Sequence, residues 1–112
     1  MSDLQARSFD TPNDTMTFDH GQAEVVTVAG QTLLRFTFHP GWRWSEAVKP
    51  MAGTDSCQTH HVGYAMAGHL HVRTDGGVEQ DIRAGDAYNI PPGHDGWVVG
   101  DETYLSVEFR AP

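Results

Sequence analysis

The 112-residue chain has a single cysteine, so no disulfide can form within it. Stability must come from a packed core, and a domain of this length buries about two-thirds of its unfolded surface. Scarce cysteine also fits a reducing compartment. There is no run of about 18 apolar residues, and the polar, acidic start MSDLQARSFDTPND has no apolar signal core. These absences predict a soluble, cytoplasmic protein. Positive charge is scarce too, with 7 Lys and Arg against 15 Asp and Glu and a net charge of −8. That disfavours nucleic acid and anionic membranes as partners, because both require a positive surface. No stretch holds a helical period over three turns, no internal repeat is visible, and no glycine-rich loop precedes a helix start as a phosphate cradle would.

What the sequence has instead is punctuation. Its 12 Gly and 6 Pro separate short apolar runs, the pattern of many strands joined by turns. Strands are predicted at AEVVTV (23–28), TLLRFTFH (32–39), HVGYAMAG, HLHVRT and TYLSVEFR (103–110), with two more between residue 78 and residue 102. Asp75-Gly76-Gly77 reads as a hairpin turn. In TYLSVEFR, Leu105, Val107 and Phe109 share one face, and Tyr104, Ser106, Glu108 and Arg110 share the other. Residues 1 to 16 predict an arm or a short edge strand, and GWRWSEAVKPMAG an irregular segment with Trp42 and Trp44 on one side. So many short strands in about 90 residues exceed what one flat sheet tolerates and predict a barrel or sandwich.

Two segments carry a family resemblance. AGDAYNIPPGHDGW, with Gly85, Pro91 and Gly93, is similar to the second motif of the cupins, where a strand ends in a tight turn at a barrel mouth. DSCQTHHVGYAMAG resembles the first cupin motif, with Asp55, Cys57 and His61 at its ligand positions and Gly68 at its end. Together with WRWSEAVKP, the chain resembles a subgroup of uncharacterised bacterial cupins. The resemblance implies an all-β, single-domain fold, the cupin-type double-stranded β-helix or jelly-roll barrel. Residues 1–22 would be an N-terminal arm and residues 23–112 the barrel domain.

The resemblance also implies a divalent metal ion (Zn, Fe, Mn, Ni or Cu) in the lumen. Its usual second-motif histidine falls on Gly96, and His94 is the nearest substitute, since positions 94 and 96 share a face of an extended segment. The implied ligands are therefore Cys57, His61 and His94, with a carboxylate or backbone carbonyl holding the second nitrogen of each imidazole. Asp95 is a candidate for that task at His94. Trp44, Tyr64, His71 and Trp97 are candidates for binding the substrate at the cavity mouth. Adjacent His60 and His61 point to opposite faces, which leaves His60 on the surface. Other readings stay open: Cys57 as a buried small hydrophobe, or as a nucleophile with His61 or His94 as its base. The expected function is a metal-dependent enzyme on a small organic molecule, such as a dioxygenase, isomerase or lyase. The alternative is a non-catalytic small-molecule-binding or sensor barrel. The partners implied are a small-molecule ligand and a second copy of the chain in a homodimer, with the N-terminal arm as a candidate for crossing to it.

Overall fold

Glycine and proline turns cut the chain into nine strands and two single helical turns among the residues that the computed structural model describes, 4–110. Residues 1–3 of the expected arm and 111–112 of the expected barrel lie outside this range. The strands are β1 (Asp14–Phe18), β2 (Gly21–Val28), β3 (Gln31–Phe38), β4 (His61–Ala67), β5 (His69–Thr74), β6 (Glu79–Arg83), β7 (Ala87–Ile90), β8 (His94–Val98) and β9 (Tyr104–Arg110). Between β3 and β4 lie α1 (Trp44–Ala47) and α2 (Lys49–Ala52). The segment from 78 to 102 holds three strands where two were expected, because Ala84-Gly85 and Pro91-Pro92-Gly93 each make a full break. Gly85 and Gly93 sit at φ 96° and 89°, a region open to glycine at little cost.

Two antiparallel sheets form a jelly roll. One runs β1-β2-β3-β9-β4-β7 and the other β6-β5-β8. The inner faces follow from period-two alternation. Leu34, Phe36 and Phe38 of β3 are buried, as are Leu70 and Val72 of β5. Strand β9 reverses the simplest hydrophobic expectation. Its inner face is Tyr104, Ser106 and Glu108, all buried, whereas Phe109 on the outer face is 54% exposed. Outer-face neighbours stand opposite one another, Val62 across from Phe109 and Tyr64 across from Val107.

Sheet pairing begins at Asp14, ahead of the expected arm boundary at residue 22. Strand β1 is an edge strand in register with β2, Met16 opposite Ala23. The residues before it lie on their own sheet. Asn13 N–H donates to Val25 O at 2.8 Å, and Arg35 donates to Phe9 O (3.4 Å) and Asp10 Oδ1 (3.1 Å). They thereby flank the buried Glu24, which accepts from Arg35 Nε at 2.7 Å.

Candidate metal centre

The first donor is placed by a crossing between sheets. Cys57 forms an isolated antiparallel bridge with His94, the first residue of β8 in the smaller sheet. Its backbone N–H donates to His94 O at 2.7 Å and its carbonyl accepts from Gly93 N–H at 2.7 Å. Ser56 Oγ–H donates to Asp75 Oδ2 at 2.8 Å, which ties this segment to the β5–β6 turn. Four residues later the chain enters the larger sheet at His61, the start of β4. The spacing from Cys57 to His61 therefore spans the lumen, and both side chains face the space between the sheets.

The ligand atoms of Cys57, His61 and His94 lie within 4.8 Å of one another. His61 Nε2 is 3.6 Å from Cys57 Sγ, and the two imidazoles meet edge to face with centroids 5.1 Å apart. Each outer nitrogen is occupied. His61 Nδ1–H donates to Glu108 Oε1 at 2.6 Å, and His94 Nδ1–H donates to Pro91 O at 2.8 Å. This fixes both rings with Nε2 toward the thiol, the orientation that metal-binding histidines take from such partners. Glu108, the carboxylate of this arrangement, is 4% exposed. Its Oε2 accepts from Tyr88 O–H at 2.7 Å, and its Oε1 also accepts from Arg110 at 2.8 Å. Gly63 makes room for this pair, since a Cβ there would lie 2.8 Å from Glu108 Cγ and from the Tyr88 oxygen and would collide with Val107 O.

The charge states follow from these contacts. Burial raises the Cys57 thiol, but hydrogen bonds from His61 and His94 outweigh it and bring Cys57 down to about 5. Burial lowers His61, yet Cys57 and Glu108 outweigh it and raise His61 to about 9. Burial alone would raise Glu108, while His61, Arg110 and Tyr88 hold it below its ordinary value. Burial holds Tyr88 well above its usual range and pushes Tyr104 up to about 12, so both stay neutral.

The three donors open onto a cavity of about 570 Å³ between the sheets. Trp42 and Trp44 both line it, from the loop before α1 and from α1 itself. The other expected binding residues face away from it. Tyr64 is on the outer face of β4 and 47% exposed. His71 and Trp97 stand opposite each other on the outer face of the smaller sheet, ring centroids 4.9 Å apart. Alternation accounts for all three: with His61 on β4, His94 on β8 and Leu70 on β5 inward, positions an odd number of residues away along the same strands turn outward. Asp95 likewise faces outward, where it accepts from Ser45 N–H at 3.1 Å and pairs with Arg43 at 3.8 Å, while Pro91 orients His94. His60 is exposed and bonds Asn89. Position 96, where the cupin ligand was expected, is on the same inner face as His94 and lines the cavity. Glu108 was not among the expected site residues; alternation put it on one face with Tyr104 and Ser106, but nothing in the sequence marked that face as the inner one.

Sheet order and a lumen site between facing sheets invite comparison with solved structures. A cupin-like protein from Thermotoga maritima superposes with a TM-score of 0.58 at 16% identity, over 98% of this chain and 81% of that one. The fold is that of a small cupin. A variant of Bacillus subtilis oxalate decarboxylase matches 92% of this chain and 28% of its own, with a TM-score of 0.65 and 17% identity. A DUF1255 protein of unknown function from Acidithiobacillus ferrooxidans matches over 89% and 88%, with a TM-score of 0.61 and 17% identity. No protein-family model matches the chain, and no curated protein matches it in sequence. At these identities the likeness extends to the fold. Among the described residues, no helix is long and apolar enough to cross a membrane.

The donor set in this fold fits a divalent ion. One soft thiolate and two imidazoles suit zinc, copper or iron better than magnesium. Three protein ligands beside a cavity leave a coordination position for another molecule.

Proposed function

We propose that this cupin binds one divalent metal ion through Cys57, His61 and His94 and acts on a small organic molecule held in the adjoining cavity. The observation that carries this reading is the convergence of those three donors, with the second nitrogen of each imidazole already held by Glu108 or Pro91. When bound, such an ion supplies a Lewis-acid position facing the cavity. The chain's own residues do the rest. Glu108 fixes the His61 ring, Arg110 and Tyr88 hold Glu108, and the aromatic wall excludes water. Dioxygenase, isomerase and lyase chemistry all fit this description, and so does a binding or sensor barrel. Turnover of a bound molecule separates the enzymes from the barrel. Elemental analysis of the purified protein tests the shared premise. One ion per chain is expected, with melting temperature rising as metal is added. Absence of stoichiometric metal, with no change in melting on adding Zn, Fe, Mn, Ni or Cu, would sink the reading.

The row Cys57–His61–Glu108 supports a second reading, a thiolate nucleophile with its imidazole oriented by a carboxylate. It requires rapid alkylation of Cys57 by iodoacetamide in metal-free protein; a resistant thiol removes it. The homodimer expected from the resemblance is carried into this proposal, with the outer apolar residues Val62, Tyr64 and Phe109 as its contact. Sedimentation equilibrium at several concentrations tests it.

A further inference from the structure

The walls of the cavity say what kind of molecule enters it. Resting on the metal-site reading above, we infer that the ligand is a largely apolar ring compound with a single polar donor atom, and not a small dicarboxylate.

The first argument is charge. Arg110 is the one Lys or Arg side chain lining the cavity among the described residues, and it is committed. Its Nη1 donates to Glu108 Oε1 at 2.8 Å, and its guanidinium lies 6.0 Å over the Phe36 ring. Both Glu108 oxygens are engaged as well, by His61, Arg110 and Tyr88. Apart from the ion, no free side-chain cation among the described residues waits for a carboxylate, and no free side-chain carboxylate waits for an ammonium. A second charge on the ligand would be stripped of water with nothing to replace it. One donor atom can meet the open coordination position; a second anionic group would find no free side-chain cation beside it.

The second argument is the surface itself. Beside the donors stands Phe36, edge-on to His61 with centroids 6.3 Å apart. Phe38 stacks with Trp42 (3.8 Å, 4°) and with Tyr104 (5.8 Å, 13°). The Trp42 Nε1 and the Tyr104 hydroxyl are sealed from solvent and have no hydrogen-bond partner among the described residues. These two lining residues therefore offer the cavity carbon, not polar atoms. Leu70 and Val72 face them from the smaller sheet, and Ile90 lines the cavity from β7 of the larger one. A volume of about 570 Å³ is within the range of small-molecule pockets and far larger than a two-carbon diacid requires.

Isothermal titration of the full chain, metal-free and zinc-loaded, with 1-naphthol and with malonate tests the proposal. Saturable one-to-one binding of naphthol is expected, on the order of 100-fold tighter than malonate in both forms. Ile90→Phe, which fills the cavity, should weaken naphthol at least about tenfold while zinc still binds one to one. Val72→Phe repeats the test from β5 should the first variant not fold. Malonate binding as tightly as naphthol would overturn the proposal, as would naphthol binding unchanged in a folded filled variant. The two readings fail differently. Loss of zinc stoichiometry with naphthol binding intact defeats the metal site, and intact zinc binding without naphthol defeats the ligand class.

Discussion

The molecule holds two histidine pairs, and only one is built to share a ligand. Inside, His61 and His94 each spend Nδ1 on a fixed acceptor and turn Nε2 toward Cys57. Outside, on β5, His69 Nε2 and His71 Nδ1 both contact Asp81 Oδ1, at 2.7 and 2.8 Å, and His71 Nε2 contacts Glu79 at 2.8 Å. Both nitrogens of His71 are thus consumed by carboxylates, and Asp81 stands between the two rings. Carboxylate contacts occur in both places. What differs is burial and the direction in which the remaining nitrogen points. A count of histidines in DSCQTHHVGYAMAGHLHV cannot distinguish the two; the face of the sheet does.

The largest expected effect is on metal content. Cys57→Ala or His94→Ala should abolish stoichiometric metal, while the double variant His69→Ala/His71→Ala keeps one ion per chain by elemental analysis. Retention in the first set, or loss in the second, breaks the contrast. Next comes Glu108→Gln, which weakens the hold on His61. Metal affinity should fall by about 10–100-fold, and urea unfolding should register a loss of about 1–3 kcal/mol from disrupting a buried, charge-assisted network. Calorimetric titration beside a urea curve separates the two consequences. Gly63→Ala should cost about 1–3 kcal/mol by overpacking Glu108 and Tyr88, with a smaller change in metal affinity.

The smallest effect belongs to the outer pair. Asp81 and Glu79 raise His71 above its ordinary 6.5, and His71, with His69, holds Asp81 down to about 2. A raised histidine stabilises the folded state fully below its ordinary value, and that contribution fades as pH rises through the raised one. Asp81→Asn should therefore lower the His71 titration midpoint, followed by NMR, and remove the part of stability gained on acidification through that range. An unmoved midpoint would mean that the outer contacts do not form in solution.

The same alternation that separates the two pairs was legible in the chain to different depths. Turn chemistry at Asp75-Gly76-Gly77 and Pro91-Pro92-Gly93 located the strand ends, and the cupin resemblance brought Cys57, His61 and His94 to one lumen. Period two divides a strand into faces without saying which is inward. On β9 the apolar trio Leu105, Val107 and Phe109 faces outward, while Tyr104 and Glu108 line the cavity and Ser106 is buried between them. The same parity, counted from His61, from His94 and from the apolar Leu70 and Val72, already put Tyr64, Trp97 and His71 outside. The aromatic character of Tyr64 and Trp97 and the imidazole of His71 suit a cavity, but parity decides the face. The crossing from β8 to β4 at 57–61 joins residues of different sheets, and no local periodicity encodes it.

The central claim is that Cys57 and two imidazoles hold one ion at the edge of an apolar cavity. Titration of metal-free protein with Co²⁺, followed by absorption, tests it most directly. The account predicts a sulfur-to-cobalt charge-transfer band that saturates at one equivalent per chain and disappears in Cys57→Ser. Saturable cobalt binding without that band, or a band that survives the substitution, would contradict it.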